Sequence, residues 1–363
     1  MLVCLDETQK SGQWLAKVAL ISIIMLAMSL VVQAKFGPFA RLPAITTDEE
    51  RVNTLADYYQ NPAARIVVVG SSLTYRLKQP YFDLEGVRNI ALAGTSALTG
   101  MRIVASQTVL PKVLLVETNV LVWPVDDRLV EQFSRSAFNM TPLRIRPVRT
   151  LVASVYGMTP EALDRMYRER VPALLGQPPA EPVPLPSTRP ENQGSPAIRE
   201  LDLQLMRRNA HAIVALALEL QARGTQVFLF QVPAAPEIFN HPQMQNTRRF
   251  IREELGAHSD LQMDLTIDES KLRWIDGAHL DERSAILVVR AMESWLSSHD
   301  LANQQEDRTT TAAHASRAFR RDRGLDDFAA GLDFPLEHAP VLLQRGDFHR
   351  ARGQGRDDLA RPG

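Results

Sequence analysis

Hydrophobic and polar positions divide the chain into three regimes. From Trp14 to Ala34 the residues read WLAKVALISIIMLAMSLVVQA, with Lys17 as the only charge. From about Asp48 to Ser298, short apolar runs alternate with stretches of helical spacing. From Leu301 onward apolar residues fall in clusters with no sustained period. The first stretch, a 21-residue run, makes a helix about 31 Å long, close to the ~30 Å hydrocarbon core of a bilayer. We therefore expect a transmembrane helix, with Lys17 snorkelling from its first turn. A cleaved signal is the second reading, since Val32-x-Ala34 resembles a cleavage site, although the run exceeds the ~7–15-residue apolar region of such signals. Lys10 and Lys17 precede the run and Lys35 and Arg41 follow it, so charge leaves the orientation open.

The middle region reads as strands alternating with helices. Arg65–Gly70 (RIVVVG) is β-branched and uninterrupted, the pattern of a strand buried on both faces. Val87–Leu92 predicts a second strand, Val113–Val122 a third, Gln226–Val232 a fourth and Leu261–Ile267 a fifth. Helical spacing covers Ser96–Leu110, Arg199–Arg223, Asn246–Leu255 and Glu282–Ser298. Such alternation predicts an α/β fold with a parallel sheet. Residues 126–197 interrupt it as a helical and then Pro-rich insertion, the latter with prolines 178, 179, 182, 184, 186, 190 and 196. The expected organisation is residues 1–34 as a stub and anchor, 35–62 as linker, 63–300 as one domain and 301–363 as an irregular tail.

Composition narrows the function classes. Apolar residues are 45% and charged residues 23% of the chain, ordinary globular values that exclude a wholly disordered or polytopic chain. Basic and acidic residues number 41 and 42, so no global electrostatic case for nucleic acid exists. Cys4 is the single cysteine, which excludes an intrachain disulfide and a cysteine zinc site. No HExxH, EF-hand, P-loop or GxGxxG motif is present, and we expect neither metal nor cofactor.

Ligands of open parallel sheets bind outside the carboxyl ends of the strands. The first strand exits into Gly70-Ser71-Ser72-Leu73, the second into Ala93-Gly94-Thr95, and the third carries Glu117-Thr118-Asn119. Near the end of the region comes Asp276-Gly277-Ala278-His279-Leu280. These residues suit nucleophilic acyl chemistry. Ser72 is the candidate nucleophile, which needs a positioned base. His279 is that base, and Asp276 fixes its tautomer. The backbone N–H groups of Ser72 and Gly94 and the Asn119 amide are candidate oxyanion donors.

GSSL, Gly94, Asn119 and DGAHL together resemble the four blocks of the SGNH (GDSL-type) hydrolase superfamily over about residues 63–298. The resemblance implies a flavodoxin-like three-layer sandwich and the catalytic set Ser72, Gly94, Asn119 and His279 with Asp276. Ser71 stands where that family usually has Asp, and Glu117-Thr118-Asn119 replaces its GxND block. The GSS form after an apolar N-terminal span resembles the membrane-anchored branch, which includes polysaccharide O-acetylation and D-alanyl-transfer proteins. It implies a single-pass protein of the cytoplasmic membrane with an extracytoplasmic or periplasmic domain. The implied activity is that of an esterase or O-acyltransferase on an acylated glycan or lipid-linked substrate, with a membrane-bound O-acyltransferase as partner. A lipase or thioesterase, and a silent scaffold that binds polysaccharide, are the alternatives.

Plainer roles exist for each residue. Ser71 and Ser72 are natural helix caps after a strand. Asp276 could cap a helix, Asn119 could satisfy backbone groups, and Gly94 could serve only a turn. Ser96 competes as a nucleophile, although Leu98 stands where a GxSxG elbow needs its last Gly. Glu117 reads as a buried carboxylate with a structural partner. Trp123 and Trp274 read as core or as sugar-stacking rings, and Arg144, Arg146 and Arg149 as a solvated face or an anion contact.

Overall fold

The structure, a computed structural model, describes residues 3–36, 46–60, 64–134, 160–181, 199–299 and 301. Its first helix, α1 (Val3–Phe36), contains the apolar run, and side chains are described there for residues 12–28. Trp14, Leu15, Ile21 and Ile23 are exposed on it. Among the described residues, however, no helix is long and apolar enough to cross a membrane. The transmembrane helix expected at Trp14–Ala34 therefore finds no support among the described residues.

The stretch expected as linker holds a second helix, α2 (Thr47–Gln60). Asp48, Glu49 and Glu50 favour its positive N-terminal end. Val52, Leu55 and Ala56 recur at helical spacing and are buried in the core, where burial of a valine or leucine side chain stabilises by up to ~1.5–3 kcal/mol.

Four strands, β1 (Ile66–Val69), β2 (Val87–Asn89), β3 (Val113–Glu117) and β4 (Gln226–Phe230), form a parallel sheet in the order β2-β1-β3-β4. Ile66 stands opposite both Val87 and Val113, and Glu117 opposite Phe230. Side chains alternate across the sheet as a period of two requires. Val67, Val69, Leu114, Val116, Val227 and Leu229 enter one core, with α2, α4 (Ala97–Ala105), α5 (Asp127–Ser134), α7 (Glu200–Ala222) and α9 (Pro242–Leu255). Ile66, Val68, Val113, Leu115 and Phe230 enter the other, with α3 (Ser72–Tyr75), α6 (Pro160–Gly176) and α10 (Glu282–Ser298). The remaining α8 (Pro236–Phe239) follows the β4 exit.

The fifth strand does not form as a ladder. After a 3-10 turn at Ser259–Leu261, Gln262 makes one parallel bridge to Leu229, and the Met263 N–H donates to the Leu229 carbonyl at 2.8 Å. Met263, Leu265 and Ile267 share one core while Leu261, still in the turn, enters the other, so the alternation is met by one-sided packing of an extended segment instead of by a ladder. Of the insertion, α5, α6 and residues 177–181 are described. Arg144, Arg146 and Arg149, the prolines from 182 to 196 and the tail from 302 lie outside the described residues. The described end of the insertion docks against the start of α10: Arg170 pairs with Glu282 at 3.0 Å, and Arg283 donates to the Gln177 carbonyl at 3.0 Å.

Candidate active site

The strand order reverses between β1 and β3, and a crevice at such a switch point is where open parallel sheets bind ligands. At the β1 exit the chain turns directly into α3. Ser71 is buried and caps α3, its Oγ accepting from the Leu73 N–H at 3.3 Å. Ser72, the next residue, is half-buried and begins the helix. Of the two adjacent serines one thus points inward as a cap and the other outward. As the first helical residue, Ser72 has no intrahelical acceptor for its N–H.

The opposite wall is a short loop built by local hydrogen bonds. Trp274 and Leu280 form an antiparallel bridge, and the Ile275 N–H donates to the His279 carbonyl at 2.9 Å. Within the loop, Asp276 Oδ1 accepts the N–H groups of Ala278 at 3.1 Å and His279 at 2.7 Å. This fixes the carboxylate so that its Oδ2 meets His279 Nδ1 at 2.7 Å. The other ring nitrogen, Nε2, lies 2.9 Å from Ser72 Oγ. Partial burial works against ionisation of Asp276, but hydrogen bonds from the His279 backbone and ring and from Ala278 outweigh it. They hold its carboxyl below the usual carboxylate range. An ionised Asp276 keeps the proton on Nδ1, which leaves Nε2 free to accept the Ser72 proton.

The expected oxyanion donors differ in their availability. Gly94 lies on the turn after β2, whose extension reaches β1 through a 2.9 Å bond from the Leu92 N–H to the Gly70 carbonyl. Its φ of 75° is a left-handed value that favours glycine. A Cβ there would also lie 2.5 Å from Arg51 Nη2 and 3.3 Å from the Trp123 ring. Asn119 is committed to the fold. Its Nδ2 donates to the Val232 carbonyl and its Oδ1 accepts the Val232 N–H, both at 2.8 Å, which ties the exits of β3 and β4 together. One amide hydrogen of Asn119 is left for any further role.

Other candidates fall into structural roles. Ser96 is buried and caps α4, accepting from the Leu98 N–H at 3.3 Å. Trp274 donates to the Pro233 carbonyl at 3.1 Å, whereas Trp123 is 43% exposed beside Gly94. A cavity of about 220 Å³ at the β3 and β4 exits is lined by Asn119, Val232, Arg248 and Met263 among others, and does not reach Ser72 or His279.

Two residues near the site escaped the sequence reading. Arg51 on α2 donates through Nε to the Ala93 carbonyl at 2.7 Å, placing a guanidinium over the Gly94 turn. No local pattern distinguishes it from any other surface arginine of an acidic helix. Tyr75, at the end of α3, donates to Glu50 of the same α2. Compared with known proteins, the chain matches no family model and no curated protein.

Proposed function

We propose that the protein is a serine esterase or O-acyltransferase of SGNH type, acting through Ser72, His279 and Asp276. The observation that carries this reading is the unbroken hydrogen-bonded chain from Ser72 Oγ to His279 Nε2 at 2.9 Å and from His279 Nδ1 to Asp276 Oδ2 at 2.7 Å. Support also comes from the strand order, which is that of a flavodoxin-like sheet without its fifth strand, and from the resemblance of the four motif blocks.

In this mechanism His279 Nε2 takes the Ser72 hydroxyl proton while Oγ bonds to the ester carbonyl carbon. The tetrahedral oxyanion is held by the N–H groups of Ser72 and Gly94, with the remaining Asn119 amide hydrogen as third donor. Collapse breaks the bond to the leaving oxygen, which takes the proton from His279 and departs as an alcohol. The acyl group stays on Ser72. Water or a sugar hydroxyl then gives its proton to His279 and attacks the acyl carbon. Ser72 leaves and recovers that proton, ending the cycle as hydrolysis or transfer.

The half-exposed Ser72 and the exposed Trp123 ring suit an acylated glycan, which an open surface admits more readily than a closed pocket. We assign the domain to the outer side of the cytoplasmic membrane, with α1 as the attachment and a membrane-bound O-acyltransferase as acyl donor. A reporter fused after Arg41 that works only in the cytoplasm overturns that placement. The enzymatic reading is tested by labelling with a fluorophosphonate probe, alongside p-nitrophenyl acetate hydrolysis. Wild type is expected to label and Ser72→Ala to lose both signals; equal labelling of the two removes Ser72 as nucleophile.

A further inference from the structure

Glu117 is the last residue of β3 and is 1% exposed. Buried carboxylates are costly unless their oxygens are hydrogen-bonded. Here one oxygen, Oε2, accepts three bonds, all from the segment that carries Ser72. The Ser71 N–H donates at 2.6 Å, Ser71 Oγ at 2.7 Å and Thr74 Oγ1 at 3.1 Å. These three donors are neutral, and they flank Ser72 on both sides, one residue before it and two after.

The packing is close enough to dictate its neighbours. Register places Val69 opposite Val116, so Gly70 lies beside Glu117. A Cβ on Gly70 would lie 2.7 Å from Glu117 Oε2 and 2.5 Å from Thr74 Oγ1. Gly70, Ser71, Thr74 and Glu117 therefore form an interlocked unit with Ser72 as its exposed member. The second carboxylate oxygen, Oε1, is buried and makes no hydrogen bond of normal geometry among the described residues, although the Asn119 backbone N–H faces the carboxylate.

We infer that Glu117 is a positioning residue for acyl transfer: by accepting from Ser71 and Thr74 it fixes the turn that aims Ser72 Oγ at His279 and its N–H at the oxyanion. It touches no substrate and acts through the nucleophile's backbone. A displacement of about 1 Å in a reacting group can cost ~100-fold in rate, and among the described residues Glu117 is the side-chain acceptor that the β3 exit offers this turn. This inference rests on Ser72 being the nucleophile.

Glu117→Gln keeps an acceptor oxygen at the same reach, and Glu117→Ala removes it. The experiment measures the rate of Ser72 labelling by fluorophosphonate, and kcat and KM for p-nitrophenyl acetate, in both variants of the full chain, with circular dichroism to check folding. The expected result is a fall of about 100-fold in labelling rate and kcat for Glu117→Ala with KM within about twofold, and recovery to within about tenfold of wild type in Glu117→Gln. A purely structural role lowers the folded fraction and leaves the folded enzyme's kcat, so a folded Glu117→Ala with wild-type labelling overturns the inference. If Glu117→Ala does not fold, Ser71→Ala and Thr74→Val each remove one donor and are expected to slow labelling several-fold; wild-type rates in both overturn it equally. Failure of wild type to label at Ser72 instead sinks the hydrolase reading itself.

Discussion

Replacing Asp276 by Asn tests the chemistry of the loop with almost no change of shape. Oδ1 of the wild-type carboxylate already accepts two backbone N–H groups, from Ala278 and His279. An asparagine keeps those bonds only by putting its oxygen there, which turns its Nδ2 toward His279 Nδ1. That NH₂ group must donate, so Nδ1 must be bare and the ring proton moves to Nε2. A protonated Nε2 cannot accept from Ser72. In a buried triad of another fold the same exchange costs ~10⁴ in kcat. The Asp276 side chain is 50% exposed, and water competes for the interaction. We therefore expect kcat to fall by about 10²–10³, or ~2.7–4 kcal/mol of transition-state stabilisation, with KM unchanged because the ring does not bind substrate directly. The assay is p-nitrophenyl acetate hydrolysis at neutral pH, with thermal melts to confirm that the loop is intact. A kcat within about fivefold of wild type, in a preparation whose Ser72→Ala variant is inactive, would refute the tautomer argument.

Other outcomes follow from the same geometry. Asn119→Ala leaves the Val232 N–H and carbonyl without their partners in a buried setting, and urea denaturation is expected to show a loss of about 2–4 kcal/mol. Gly94→Ala forces an L residue to a φ of 75° against the Arg51 guanidinium; a destabilisation of about 1–3 kcal/mol, with lower activity, is the expected result of the same measurement. Burial pushes the Glu117 carboxyl up despite the hydrogen bonds that favour its charge. Between the ordinary carboxylate range and that raised value the unfolded chain has released the proton and the folded one retains it, so wild type loses stability as pH rises. Glu117→Gln lacks this contribution, and the stability of wild type relative to the variant should fall in urea melts as pH rises above the ordinary carboxylate range; a flat or rising difference contradicts an upward displacement of the carboxyl.

Continuous apolar runs made β1, β3 and β4 legible, because strands buried on both faces carry no polar interruptions. Ser72, Asp276 and His279 were legible for a related reason: each follows a strand or sits on a loop whose spacing constrains its side chain. Asp276 and His279 stand three apart, and one turn suffices to join them. The role of Asn119 was less open to reading. An amide at a strand end suits an oxyanion or a neighbouring backbone equally, and only the position of β4 decides how much of it is free. Glu117 was readable as buried, while its partners depended on which strand lies beside β3. The extended segment at 261–267 misled because alternation reports burial of one face, which a ladder and an irregular extended segment satisfy alike. The helix at Thr47–Gln60 was hidden by its charged first turn, which resembles a linker until the spacing of Val52, Leu55 and Ala56 is followed.

The Ser72–His279 contact joins residues 207 positions apart in the chain. During synthesis at ~5–20 residues per second the serine leaves the ribosome about 10–40 s before the histidine. For that interval the nascent chain carries the proposed nucleophile without its proposed base. On the proposed mechanism, the order of the chain keeps the growing polypeptide inert toward acyl groups until β4 and the Asp276–His279 loop have been made, a delay set by sequence order alone.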